Sequence, residues 1–98
     1  MLHPDVAELL EALRGLERLL FEQGINTWAA RLKQAADNIE KSDAYGLQQF
    51  LSMFGGMGSL NDLILSQDGK LPIEENEQLN SLRSKAWSLA NNLRREIL

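Results

Sequence analysis

Val6, Leu9, Leu10, Leu13, Leu16 and Leu20 recur at intervals of three and four residues, and this spacing predicts a helix over residues 4–22 with one wide apolar stripe. Pro4 suits the first turn, and Asp5 and Glu8 suit the positive end of the helix dipole. Gly24 is placed to stop the helix in a left-handed cap. In the next segment, INTWAARLKQAADNIEKS, Asn26 or Thr27 can cap a second helix. Its stripe is Trp28, Leu32, Ala35 or Ala36, and Ile39, and the alanines allow another helix to come close. The pattern restarts at Ser42 or Asp43. Tyr45, Leu47, Phe50, Leu51 and Phe54 then carry a third, shorter helix up to Gly55.

Past the glycines the period changes. Leu63-Ile64-Leu65 forms a compact apolar run, followed by Gln67-Asp68-Gly69 and then Leu71-Pro72-Ile73. An Asp-Gly between short apolar segments is a hairpin signal, and Pro72 would confine its strand to an edge. A single helical turn starting at Ser59 or Asn61 competes with that reading. The segment is too short between its Gly and Pro bounds to show helical periodicity, which favours extended structure. From Glu74 to the end, Leu79, Leu82, Ala86, Leu89, Leu93 and Ile97 keep helical spacing, with acids first and arginines last. The expected fold is mainly α: a four-helix bundle-like single domain over residues 1–98, with a Gly-rich loop and a short extended or hairpin segment before the last helix.

Composition fits that picture. With 98 residues, 44% hydrophobic and 24% charged, the chain has the profile of one soluble globular domain. It has no cysteine, so disulfides, zinc–thiolate sites and thiol nucleophiles are excluded, and a reducing cytoplasm is the expected location. The acids scattered through the first apolar stretch do not make a signal peptide. No apolar run approaches the roughly 18–20 residues that span a membrane. A net charge of −4 argues against nucleic acid or an anionic lipid surface as the main partner. The charge is unevenly placed. Residues 1–24 carry Asp5, Glu8, Glu11, Glu17 and Glu22 against Arg14 and Arg18, whereas the last eighteen residues carry Arg83, Lys85, Arg94 and Arg95 against Glu96 alone. Acidic first and basic last helices can lie together, within one chain or across a homodimer. Solvated faces and dipole compensation are the simpler reading.

Catalysis has little to work with. His3, beside the initiator methionine, is the only histidine, which leaves no triad and no two-histidine metal site. There is no Ser-x-x-Lys motif. Glu74, Glu75 and Glu77 look like a helix N-terminal charge cluster, and they match no oxygen-ligand loop pattern. The expectation is no enzyme, no metal and no cofactor.

The glycine stretch FGGMGSLND, residues 54–62, is the remaining candidate. As an anion cradle its N–H groups would turn inward. The P-loop pattern, however, needs a lysine where Gly58 stands. The dinucleotide fingerprint needs a third glycine where Asn61 stands, after a strand and not a helix. As structure, Gly55 or Gly56 caps the third helix, Gly58 permits a further turn, and Met57 plugs a gap in the core. Ser59, Asn61 and Asp62 are turn and cap residues that together make a polar display.

Phe54 to Leu65, FGGMGSLNDLIL, resembles the signature segment of a family of small uncharacterised bacterial proteins, a domain of unknown function sharing a Phe-Gly-Gly-Met-Gly-Ser-x-Asn-Asp core. As here, an Asx/Gly turn and a proline precede their final long helix. The resemblance implies no activity. Immunity-type partners of toxins include proteins of this size and kind, which is an analogy only. Trp28 reads as core. Trp87 stands one position off the Leu82–Ala86–Leu89 stripe and reads as a stripe-edge core residue, with an exposed binding anchor as the alternative. The leading expectation is a non-enzymatic module that binds a protein through Gly56, Gly58, Ser59, Asn61, Asp62 and Trp87. A small-molecule or anion binder using the 55–62 loop, and a self-associating structural dimer, are the alternatives.

Overall fold

The leucine stripe of the first segment builds α1, Pro4–Glu22, in a computed structural model that describes residues 4–41, 44–54, 60, 63–66, 69, 70 and 72–97. Leu9, Ala12, Leu13, Leu16, Leu19 and Leu20 are buried, and Val6 and Leu10 pack at the edge of the same core. Each fully buried leucine side chain stabilises the fold by about 1.5–3 kcal/mol, so this stripe organises the molecule.

The helix stops as its glycine predicts. Gly24 has φ +78°, its N–H donates to the Phe21 carbonyl at 3.1 Å, and the Ile25 N–H donates to the Leu20 carbonyl at 2.8 Å. These two bonds are a Schellman cap. Ile25 packs back on the core and is at once the N-cap of α2, Asn26–Glu40. That dual role corrects the capping expectation, because no side chain of Asn26 or Thr27 caps the helix. One residue serves both helices, and its own carbonyl accepts the first α2 bond, from the Ala29 N–H at 3.1 Å.

Helix α2 buries Ala29, Leu32, Ala35, Ala36 and Ile39. Trp28 is half-buried, and the Arg31 guanidinium lies 4.4 Å from its ring centroid. Helix α3, Ala44–Leu51, meets α2 through Gly46. A Cβ at Gly46 would lie 2.7 Å from the Ala35 carbonyl oxygen and 2.8 Å from the Ile39 nitrogen, so only glycine allows this approach. Asn38 Nδ2 donates to Gln49 Oε1 at 2.6 Å across the same contact. With Gly46, Leu47 and Phe50 turned inward, Tyr45 falls on the outer face and is 59% exposed, not part of the stripe.

Helix α3 also ends earlier than expected, at Leu51. The Met53 and Phe54 N–H groups donate to the Phe50 and Leu51 carbonyls, three residues back, so the chain tightens into turns before Gly55. Phe54 still meets Phe50 edge-to-face, with ring centroids 5.2 Å apart.

Helix α4, Ile73–Ile97, opens with Glu74 and Glu75 and closes with Arg94 and Arg95, as the dipole favours. It buries Leu79, Ala86, Ala90 and Leu93, with Leu82 and Leu89 at the margin. Helix α1 packs on α2 and α4, α2 packs on α3, and α3 packs on α4, which gives an all-α bundle around one core. Among the described residues no strand forms, and no helix is long and apolar enough to cross a membrane.

The extended or hairpin segment expected before α4 is described only at residues 60, 63–66, 69, 70 and 72, and no strand forms among them. Residues 63–66 are neither helix nor strand, yet Leu60 and Leu65 are fully buried. The Leu65 peptide finds its hydrogen bonds in a side chain: its N–H donates to Asn76 Oδ1 at 2.8 Å, and its carbonyl accepts from Asn76 Nδ2 at 3.0 Å. Asn76 of α4 thus stands where a partner strand would. Gly69, at φ +78°, carries the turn that Asp-Gly predicts.

Candidate functional site

The long last helix exposes a face that differs from the rest of the chain. Residues 78–95 contain Arg83, Lys85, Arg94 and Arg95 and not one carboxylate. Asn80, Ser84, Ser88, Asn91 and Arg94 recur at steps of four and three, and so share one side of α4, with Arg83 and Trp87 beside them. The core-facing leucines and alanines fix the rotation of the helix, which turns this polar side toward the end of α3.

There the two helices enclose an open groove of about 760 Å³. Leu51 and Phe54 form one wall, and Asn80, Arg83, Ser84, Trp87, Ser88, Asn91 and Arg94 form the other. Trp87 is 42% exposed, which corrects the core reading of this residue: Ala86 and Ala90 take the buried positions, and the indole stands over the groove. Arg94 donates to Asn91 Oδ1 at 3.0 Å.

Arg83 anchors the floor. Its Nη1 donates to the Leu60 carbonyl at 2.8 Å and the Leu63 carbonyl at 2.9 Å, and its Nη2 donates to Asn80 Oδ1. The planar fork of guanidinium donors suits this convergence of acceptors. The Leu60 N–H in turn donates to the Met53 carbonyl at 2.9 Å. The Gly-rich loop therefore leaves and rejoins the fold at neighbouring points, and Phe54, where it departs, lies on the lip of the groove.

Of the residues singled out in the sequence, the structure places Trp87 in the groove. Gly56, Gly58, Ser59, Asn61 and Asp62 lie outside the described residues, as do Met57 and His3. The groove residues that sequence reasoning missed are Asn80, Arg83, Ser84, Ser88, Asn91 and Arg94. The signal for them was present: a polar stripe at helical spacing within a carboxylate-free run. It went unused because the apolar stripe of the same helix was the only periodicity weighed.

A second concavity, of about 500 Å³, lies between α1 and α2, lined by Glu17, Phe21, Asn26, Ala29, Ala30 and Lys33. Phe21 is 69% exposed there. Nearby, Arg14 donates to Asp37 at 2.8 Å, Glu40 at 3.0 Å and Glu17 at 3.2 Å, while Lys33 donates to Asp37 at 2.9 Å. Hydrogen bonds from Lys33 first, and then from Arg14, hold the Asp37 carboxyl below its ordinary value, and the bond to Asp37 raises Arg14. Arg14 of acidic α1 thus pairs with the acids of α2, although α1 also packs against α4, whose four glutamates balance its four arginine and lysine residues. Among the described residues no three His, Asp or Glu side chains gather as metal ligands would.

Comparison with curated proteins gives no match, and comparison with solved structures gives none either. Residues 21–73, from the last turn of α1 through α2, α3 and the loops to the first residue of α4, match a protein family over more than half of the chain. The chain belongs to the family described as Domain of unknown function (DUF6966).

Proposed function

We propose that this protein is a non-enzymatic binding module that holds another protein in the groove between α3 and α4. The observation that carries the proposal is Trp87, a large aromatic side chain standing 42% exposed over an open groove and flanked by arginine and asparagine. Tryptophan and arginine are the residue types most enriched among binding hot spots. A groove walled by helix sides accepts a peptide segment more readily than a metabolite that must be enclosed. Gly56, Gly58, Ser59, Asn61 and Asp62 of the Gly-rich loop stay candidate contacts of that partner on the strength of their residue types in the sequence. The same reading takes the protein as bacterial and cytoplasmic, on the resemblance that residues 54–62 carry, and as an immunity-type partner where a toxin-like gene is its neighbour.

A photo-crosslinking amino acid at Ser88, within the groove, tests the proposal in cells that express the protein. A discrete adduct at Ser88, absent from the same probe at Lys41 and lost on adding Trp87→Ala, is the expected result. No adduct at Ser88, together with stabilisation by nucleotides or phosphorylated metabolites in a thermal-shift screen, would replace this reading with a small-molecule one.

A further inference from the structure

The outward face of α1 and α2 is complementary to itself. We propose that two copies of this chain pair through it, with their α1 helices antiparallel across a two-fold axis level with Leu20. Each Phe21 then seats in the partner's depression between α1 and α2, and each Arg18 pairs with the partner's Glu22.

The face lies wholly within residues 4–41, every one of which is described. Phe21 is 69% exposed, more than any other described aromatic side chain. So large an apolar group left in water marks a contact site when a receptacle lies beside it. On one side of Phe21 is the depression of about 500 Å³ with Ala29 and Ala30 in its lining, and on the other is a hollow of about 270 Å³ lined by Arg14, Glu17 and Arg18. Phe21 is thus a ridge between two hollows. A two-fold contact uses the same patch on both molecules, so a ridge needs a hollow next to it, and here it has one.

Charge selects the same partner and sets the register. Arg18 and Glu22 are both exposed, and they stand four residues apart, about 6 Å along α1. Among the described residues neither joins an ion pair: the pairs of this face are Arg14 with Glu17, Asp37 and Glu40, and Lys33 with Asp37. Arginine four residues before glutamate is also the weaker order for a pair within one helix. Across a two-fold axis midway between them, each faces its opposite on the other copy, which gives two ion pairs flanking the Phe21 contact. Sliding the helices by about one turn in either direction sets arginine on arginine or glutamate on glutamate, so the register is specified. A partner of one strong charge would meet both signs here, in Glu17, Arg18, Glu22 and Lys33. The side of α1 that meets α4, at Gly15 and Leu82, is already taken within the chain.

The face is small. Helix α2 has 15 residues and so runs about 22 Å, and two helices side by side are about 20 Å wide, so the paired faces cover roughly 900 Å² in all. That is the range of transient contacts, and a Kd of about 1–100 μM is expected. The face shares no residue with the groove between α3 and α4, so the dimer does not rest on the binding-module reading.

Sedimentation velocity on the full chain, from about 5 to about 500 μM, tests the proposal. A dimer is expected at the upper end. Phe21→Ser should be monomeric throughout with unchanged far-ultraviolet circular dichroism, since the side chain it removes is 69% exposed. Arg18→Glu and Glu22→Arg should each raise the Kd at least about tenfold. Mixed in equal amounts, these two variants should form a heterodimer tighter than either makes alone, because one presents two acids where the other presents two arginines. A monomer at every concentration overturns the proposal, and so does a dimer that Phe21→Ser leaves intact. A dimer dissolved by Trp87→Ser and not by Phe21→Ser overturns it in favour of contact through the groove. Failure of the two charge variants to pair on mixing overturns the antiparallel register and the proposal with it. The Ser88 crosslink reads the groove separately, so neither result decides the other.

Discussion

Asn76 holds the backbone of Leu65 by two hydrogen bonds, accepting from its N–H at 2.8 Å and donating to its carbonyl at 3.0 Å. The same Nδ2 also donates to the Pro72 carbonyl at 3.0 Å, at the start of α4. A side-chain amide here takes the place of a strand's peptide group, and it fixes a fully buried leucine that lies in no regular element. Asn76→Ala should therefore leave a buried peptide without partners, at a cost of about 1–3 kcal/mol. In a domain of this size that is a fall in Tm of roughly 4–8 °C for each kcal/mol. Asn76→Asp keeps the acceptor but loses both donor bonds, so it should destabilise as well. Thermal and urea unfolding of the two variants measure this, and unchanged midpoints would show that Leu65 is held by its apolar contacts alone.

Two helical glycines predict opposite outcomes for the same substitution. At Gly46 a Cβ would lie 2.7 Å from the Ala35 oxygen and 2.8 Å from the Ile39 nitrogen, both rigid helix backbone. Gly46→Ala must push α3 off α2 and should cost about 1–3 kcal/mol, as overpacked cores do. At Gly15 of α1 the nearest atoms are the Leu82 methyl groups at 3.4 Å, on a side chain that can adjust. Gly15→Ala should then gain most of the helix-propensity difference, about 1 kcal/mol. Urea midpoints measured side by side are the check. A stabilised Gly46→Ala would mean that the α2–α3 contact is looser than its geometry.

The helices were legible in the sequence because each carries a stripe long enough to show its period, and Gly24 and Pro4 mark ends by their own backbone chemistry. Boundaries were less so. Asn26 has the right chemistry to cap α2, but the Schellman turn had already placed Ile25 in that position, and a local rule cannot see a neighbour's geometry. Tyr45 matches an apolar spacing that Gly46 overrides by demanding the contact with α2. The segment before α4 reads as a hairpin because Asp-Gly and the aliphatic run are real turn and burial signals. What they lack is the identity of the hydrogen-bond partner, and Asn76, eleven residues beyond Leu65, is a polar helix residue like any other until the fold closes. Trp87 was placed one position from the apolar stripe, and that position proved decisive: the small Ala86 and Ala90 let α4 approach the core and leave the indole outside. Arg83 appeared only as a charge, since a role set by two loop carbonyls has no local signature.

Acid should weaken the α1–α2 contact through Asp37. Its carboxyl is held below the ordinary value of 3.8 by hydrogen bonds from Lys33 and then Arg14. A group depressed in the folded state contributes stability above its unfolded value, and loses it as the pH falls through the folded one. In that window the unfolded chain binds more protons, so stability rises with pH. The side chains of Arg14 and Asp37 are about one-third exposed, at 33% and 35%, so solvent and salt screen the effect and it should be modest. Asp37→Asn should give a flatter stability curve on the acid side, below about pH 5, and added salt should narrow the difference from the unmodified protein. Equal slopes for the two proteins would place the acid sensitivity elsewhere.

The two tryptophans should report different surroundings, which sets the baseline for any binding experiment. Trp87 is 42% exposed on the groove, whereas Trp28 is half-buried on α2 with the Arg31 guanidinium 4.4 Å from its ring centroid. Trp28→Phe protein, which emits from Trp87, should have redder emission and stronger acrylamide quenching than Trp87→Phe protein. Stability should divide the other way. Arg31→Ala removes a cation–π contact at a partly exposed site, worth about 0.5–1 kcal/mol, and blue-shifted Trp28 emission should move to the red with it. Trp87→Ser removes an aromatic side chain that is 42% exposed, so the loss of stability should be smaller than for Trp28→Ser. The comparison needs only emission spectra and urea midpoints for these variants. If Trp87 proved the better shielded of the two, the indole would lie within the core and the groove would lose its anchor.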